Sequence, residues 1–250
     1  MPSCCPWYRK GKMIPADQEA VRELFEAVAP RYDRLNDLLS LGAHRLWKRQ
    51  AVGWLDPCPG QKLLDLCCGT GDGALLLAQK VRPGGQVLGL DAAAAPLQRA
   101  RQRAAQAPWL PLRFAQGDAL ETGLAAGWAD GALMAYGLRN LVDPARGLAE
   151  LRRVLRSGGR AAVLDFNRPE PDGGRSQVWA AQFQQFYLSR VVVPVASLVD
   201  LKDQYAYLQT SLARFPTAQE QMELARQAGF ATVGYRPLAA GLMGFLTLVA

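Results

Sequence analysis

Along most of this chain, short apolar runs of strand length alternate with stretches whose apolar residues recur every three or four positions. The first such unit is Leu63-Leu64-Asp65-Leu66-Cys67-Cys68, then glycines at 69, 71 and 73, then a helical pattern from Ala74 to Val81. It reads as strand, tight turn, helix. The alternation continues with a strand at Gln86–Asp91, a helix at Pro96–Gln106 and short strand Leu112–Ala115. Next come a strand at Trp128–Met134, a helix at Pro144–Leu155 and a strand at Arg160–Asp165, with Ser157-Gly158-Gly159 as a glycine cap between the last two. A final helix at Thr217–Ala228 stops at Gly229, and Phe230–Leu238 with Leu242–Val249 reads as a hairpin pair. Alternating strands and helices predict an α/β fold with a mostly parallel sheet.

Three stretches depart from this rhythm. Residues 1–16 show no periodicity and are expected to form a loose arm. From Asp17, Val21, Leu24, Phe25 and Val28 mark one helical face that Pro30 ends, and polar and aromatic residues then mix with leucines from Ala29 to Lys48. Residues 17–60 are therefore expected to form a helical cap, read either as packing over the sheet end or as a lid with Tyr32 or His44 facing a site. Residues 176–215 are too long for a simple connection; Trp179, Phe183 and Phe186 make one aromatic stripe, either core or the wall of an apolar acceptor pocket. With no composition break, residues 17–250 are read as one domain.

Candidate chemistry gathers at the predicted strand ends. A glycine-rich turn lets a flat ligand approach the main chain. The spacing G-x-G-x-G, with Asp72 inside it, differs from the G-x-G-x-x-G that cradles a pyrophosphate. An anionic loop suits a cationic nucleoside, and S-adenosylmethionine is the cofactor that fits. Asp91 ends the second strand about 20 residues on, where an acid can accept the two hydroxyls of a ribose. Asp118 follows the third strand, within reach of an adenine amino group. The fourth strand leads into Tyr136-Gly137-Leu138-Arg139-Asn140, and the fifth ends at Asp165, both at the edge where ligands of such sheets bind. Arg99, Arg101 and Arg103 read as a solvated helix face. The expected fold is a class I S-adenosylmethionine-dependent methyltransferase: a Rossmann-like seven-stranded sheet, last strand pair antiparallel, with an N-terminal helical lid and an insertion after the fifth strand.

Charge and cysteines narrow the partners. A net charge of +7 favours an anionic surface. The 29 Lys and Arg residues form no block, and no nucleic-acid motif accompanies them, so nucleic acid is not expected. Cys4, Cys5, Cys58, Cys67 and Cys68 are odd in number and lie partly in adjacent pairs, which argues against a disulfide framework. His44 is the sole histidine, and no metal is expected. The longest uncharged apolar stretch, Pro237 to Ala250, is shorter than the ~20 residues of a spanning helix, so a cytoplasmic or membrane-peripheral protein is expected.

Three blocks carry a resemblance: Ala29-Pro30-x-Tyr32-Asp33-x-Leu35-Asn36-Asp37 through His44-Arg45-x-Trp47-Lys48, Asp65 to Asp72, and Tyr136 to Asn140. The chain resembles the ubiquinone/menaquinone biosynthesis C-methyltransferase family from about Val21 onward. Cys67-Cys68, Leu164-Asp165-Phe166, and Tyr205-Ala206-Tyr207 through Thr217 resemble its cyanobacterial and plastid branch, which methylates 2-phytyl-1,4-naphthoquinol in phylloquinone synthesis. Two positions depart from relatives: Ala92-Ala93-Ala94-Ala95 lacks the serine common after the ribose acid, and Ala135 replaces a serine.

The resemblance implies cofactor contacts from Asp65, Gly69, Thr70, Gly71, Asp91, Ala92, Asp118 and Ala119. It links Arg139 to the acceptor hydroxyl, with Tyr32, Tyr136, Asn140 and Asp165 as partners and His44 as a further candidate base. The implied partners are a prenylated naphthoquinol, a peripheral contact with an anionic, thylakoid-type membrane, and a homodimer as an allowed assembly. Alternatives are methylation of demethylmenaquinol or a polyprenyl benzoquinol, a small-molecule O- or N-methyltransferase, and a non-catalytic module that binds the cofactor.

Overall fold

The computed structural model describes residues 8–9, 12–13, 19, 26, 42–168 and 211–250. Seven strands form one sheet: β1 Lys62–Leu66, β2 Gln86–Asp91, β3 Leu112–Gln116, β4 Ala129–Ala135, β5 Leu155–Phe166, β6 Thr232–Leu238 and β7 Met243–Val249. Their order is β3-β2-β1-β4-β5-β7-β6, parallel through β5 and antiparallel at β7 and β6. The order reverses direction between β1 and β4, which opens a crevice at their carboxyl ends. The helices are α1 Ala43–Leu55, α2 Asp72–Lys80, α3 Ala94–Ala105, α4 Pro144–Val154 and α5 Ala218–Gln227.

Side chains alternate across the sheet and split its core into two layers. Leu63, Leu133, Ala162 and Phe245 pack with Ala51, Val52 and Leu55 of α1 and with Leu77 of α2. On the other face Leu64, Leu66, Met134, Val163 and Leu248 pack with Leu148 and Leu151 of α4 and Ala225 of α5. Helix starts follow local chemistry. Asp143 caps α4 by accepting from Arg146 N–H with Pro144 in the first turn, and Thr217 and Glu220 make a reciprocal capping box at α5.

Two expectations are corrected. Ser157-Gly158-Gly159 does not cap a helix: α4 ends at Val154, and Leu155 is already extended. The glycines bulge the start of β5, where Gly158 takes φ +74 and bonds the carbonyl of Ala250. Arg103 is not on a solvated face, for it reaches back to the glycine turn. Tyr8–Arg9 pairs antiparallel with Lys12–Met13. Tyr32, the cap before Gly42 except Glu19 and Glu26, and residues 176–210 of the insertion lie outside the described residues.

The closing strands are tied to β5 by Asn167. Its main-chain N–H bonds the carbonyl of Leu242, its side chain donates to Gly241, and it accepts from the hydroxyl of Tyr235 at 2.7 Å. Gly244 on β7 leaves the space that the Tyr235 ring fills. Gly244→Ala should therefore overpack this joint and cost about 2 kcal/mol; a urea midpoint equal to wild type would contradict the packing.

Candidate active site

The strand β1 delivers Asp65 and the glycine turn together. A Cβ on Gly71, at φ +84, would meet the Phe114 ring at 2.8 Å, and one on Gly73 would meet Leu133 at 2.6 Å and the Asp65 carboxylate at 2.7 Å. These two glycines serve close packing. Above Gly69, in contrast, no described atom would lie within 4 Å of a Cβ, so a ligand can rest on the main chain there.

Asp91 is the hub of this turn. One carboxylate oxygen accepts Gly69 N–H at 2.8 Å and the other accepts Ala93 N–H at 3.0 Å. Each oxygen keeps a further lone pair for a hydroxyl donor, which is what a vicinal diol presents. Ala92 turns its carbonyl to Gln116, Asp118 accepts from Leu120 N–H, and Ala119 is buried beside it.

Charge in the turn is not where the sequence suggested. Asp72 is paired with Lys48 at 3.0 Å and with Arg103 at 2.6 Å; despite partial burial, these cations hold its carboxyl down at about 2. Arg103 also bonds the carbonyl and hydroxyl of Thr70, so Thr70 is braced within the protein. The unmatched carboxylate is Asp65. It is 2% exposed, its Oδ2 has no hydrogen-bond partner among the described residues, and burial pushes it up to about 7 despite Lys48 nearby. A ligand ammonium would satisfy it. An open glycine, a diol acceptor at Asp91 and an orphaned acid at Asp65 fit S-adenosylmethionine as a set.

Beyond β4 the chain turns sharply. Tyr136 sits at φ +64, opposite Cys67 at φ +58, and the missing side chain of Gly137 makes room for the Cys67 thiol. Two non-glycine residues in left-handed backbone at one sheet edge store about 1–3 kcal/mol of strain each, a mark of functional sites. The one-turn helix Leu138–Asn140 then buries Arg139 at 7% exposure. Its backbone N–H donates to Asp165 at 3.0 Å, its Nε donates to the same carboxylate at 3.3 Å, and its Nη1 donates to Ser211 Oγ at 2.5 Å. The guanidinium lies 5.3 Å from the Phe166 ring centre. Asp165 is pushed up by burial and pulled down by Arg139. Asn140 donates to the carbonyl of Tyr136, closing the turn.

A model of the ubiE/COQ5 methyltransferase family matches residues 13–247. The chain belongs to that family. It is 46% identical over 229 residues to a 2-phytyl-1,4-naphtoquinone methyltransferase of Trichormus variabilis, covering 91% of this chain and 97% of the relative. It is 41% identical to the chloroplastic 2-phytyl-1,4-beta-naphthoquinone methyltransferase of Arabidopsis thaliana, covering 90% of this chain and 85% of that one. Among solved structures, a SAM dependent methyltransferase from Aquifex aeolicus superposes with a TM-score of 0.57 at 15% identity, covering 93% of this chain and 98% of its own. A possible histamine N-methyltransferase from Thermotoga maritima superposes with a TM-score of 0.62 at 20% identity, covering 92% of this chain and 99% of its own. At such identities these two show the fold.

Within this family member, Asp65, Gly69, Asp91, Tyr136, Arg139, Asn140 and Asp165 all stand at the carboxyl edge of the sheet. His44 lines a cavity of about 350 Å³ with Arg45 and Arg49 of α1, Leu75, Leu76 and Gln79 of α2, and the Lys48, Asp72 and Arg103 cluster that borders the glycine turn. The sequence reading missed Lys48 and Ser211. Lys48, one turn after His44, bonds Asp72 and lies 5.7 Å from the Tyr136 ring centre, joining α1 to the site. Ser211 follows no periodic pattern that could have flagged it.

In the cofactor-free protein Asp65 holds a proton that the unfolded chain, at 3.8, has released. Stability should therefore fall as pH rises between about 4 and 7, by about 4 kcal/mol from this group. Asp65→Asn should flatten that part of the profile; melting curves whose slopes match wild type would refute the assignment.

Proposed function

We propose that this chain methylates a ring carbon of a reduced 2-phytyl-1,4-naphthoquinone with S-adenosylmethionine, the step that completes phylloquinone. The buried pair of Arg139 and Asp165 beside Tyr136 carries the reading, and the names of relatives at 41–46% identity support the acceptor. When bound, S-adenosylmethionine supplies an electrophilic methyl group on a sulfonium.

The chain's own residues meet the remaining needs. Asp91 orients the ribose and Asp65 the ammonium, while Asp118 and Ala119 flank the adenine. Arg139 keeps N–H groups beyond those given to Asp165 and Ser211, and these face a quinol oxygen and stabilise it as a phenolate. Asp165, raised by burial, accepts the phenolic proton directly or through water. Arg139 and Asp165 thereby leave electron density on the unsubstituted ring carbon, which would take the methyl group as the sulfur–methyl bond breaks, the ring proton then leaving to solvent as aromaticity returns and S-adenosylhomocysteine is released. A quinone lacks the phenolic proton and the electron-rich carbon, so only the reduced acceptor reacts.

Labelled methyl transfer should reach demethylphylloquinone only with a reductant present, and exceed transfer to demethylmenaquinone and a demethoxy-benzoquinone. Equal transfer without a reductant would overturn quinol chemistry. Arg139→Ala should keep cofactor binding and lose about 100-fold or more in kcat, whereas Asp91→Ala should abolish cofactor binding in calorimetry. Normal affinity in the second variant would remove the ribose role.

A peripheral contact with anionic lipid is part of the same reading. It is supported by the net charge of +7 and a lipid-borne acceptor, in a chain where no described helix is long and apolar enough to cross a membrane. The protein should float with anionic liposomes at low salt and be released at high salt. Failure to float at low salt would refute it.

A further inference from the structure

The first turn of α3 has an unusual set of hydrogen-bond acceptors. Helix starts leave amide N–H groups without intrahelical partners, and a serine, threonine, asparagine or aspartate at the cap commonly takes one. The cap here is Ala93, which offers no side-chain acceptor. Ala93 N–H goes to Asp91 at 3.0 Å, while Ala94 and Ala95 donate to the two oxygens of one carboxylate, Glu26, at 2.5 and 2.9 Å. Pro96, next in line, has no N–H. Two carboxylates, one of them 68 residues upstream of the helix, thus satisfy every donor of the turn.

The second of those carboxylates is the ribose acid. Asp91 depends on Ala93 N–H for one of its two main-chain anchors, and Ala93 is the hinge into a helix start that Glu26 holds. Burial is the main cause raising the Asp91 carboxyl, and the Glu26 charge adds to it. The positive end of the helix dipole favours both carboxylates at this terminus.

We infer that Glu26 is a positioning residue for the cofactor, capping α3 from a distant part of the chain in place of the side chain that Ala93 lacks, and thereby fixing Asp91 for the ribose hydroxyls. This rests on the reading of Asp91 as the ribose partner. Glu26 takes no part in methyl transfer itself.

Calorimetry on the full chain tests it, using S-adenosylhomocysteine and its 2′-deoxy analogue, with kcat measured at saturating S-adenosylmethionine. Glu26→Ala should raise Kd for S-adenosylhomocysteine about five- to tenfold, the scale of a lost helix cap, and leave kcat within about twofold of wild type. Glu26→Gln, which keeps one acceptor, should lie between. Because Asp91 would hold the ribose less well, the preference for the ribosyl over the 2′-deoxy ligand should shrink in Glu26→Ala. Adding Ala93→Ser supplies a hydroxyl that can accept from Ala95 N–H, and should recover at least about threefold of the lost affinity. Unchanged Kd in Glu26→Ala would overturn the inference. So would a weakened Kd that Ala93→Ser does not improve, since Glu26 would then be meeting the cofactor itself. Equal binding of both ligands by the wild-type chain would fail the ribose reading instead, a result distinct from either.

Discussion

Carboxylates taken out of water must be given donors or cations, and at the carboxyl edge of this sheet that requirement assembles the site. Asp91, Asp65 and Asp165 lie at the carboxyl ends of β2, β1 and β5, and each draws in a different piece of the chain. Asp91 pulls the glycine turn and the start of α3 onto one point. Asp165 pulls in the Arg139 turn, whose guanidinium reaches Ser211 near the end of the insertion. Asp65 is left short of a partner, and its deficit is what a cationic ligand can fill. The distribution is uneven in a useful way: Asp165 carries an internal cation, Asp91 carries main-chain donors, and Asp65 keeps one oxygen without a described partner.

The remaining polar contacts bring the outer helices to the same edge. Lys48 and Arg103 reach from α1 and α3 to neutralise Asp72, pinning the N-terminus of α2 under the turn. Removing one partner of such a pair leaves the other charge uncompensated, a larger loss than the pair's own net contribution. The glycines at 71 and 73 let this happen at close quarters, because Phe114 and Asp65 occupy the space where side chains would stand.

Much of this was legible beforehand, for identifiable reasons. All seven strands were read beforehand, and the inner ones stood out most, since strands buried on both faces must be apolar almost throughout, whereas the edge strands β3 and β6 stay partly exposed. The acids at strand ends stood out because a charge closing an apolar run has no packing role. What could not be read was pairing across the fold. Asp72 looked like the charged element of the turn, yet its two cations come from 24 positions before it and 31 after it, distances to which no local pattern is sensitive. Ser157-Gly158-Gly159 resembled a helix stop because a β-bulge and a helix cap both need left-handed glycine. Arg103 shared a helix face with solvated arginines and differed from them only in what lay opposite. Glu26 sat unremarked in an amphipathic pattern.

The two acids proposed for the cofactor would hold it at the ribose and at the amino group, and methyl transfer alters neither. S-adenosylhomocysteine still carries both. The spent donor would therefore satisfy Asp65 and Asp91 nearly as well as the fresh one, and only the wall near Tyr136 can register the sulfonium charge that has gone. Turnover in such a site would follow the ratio of charged to discharged donor in its surroundings, so the rate of ring methylation would track the cell's capacity to clear its own by-product.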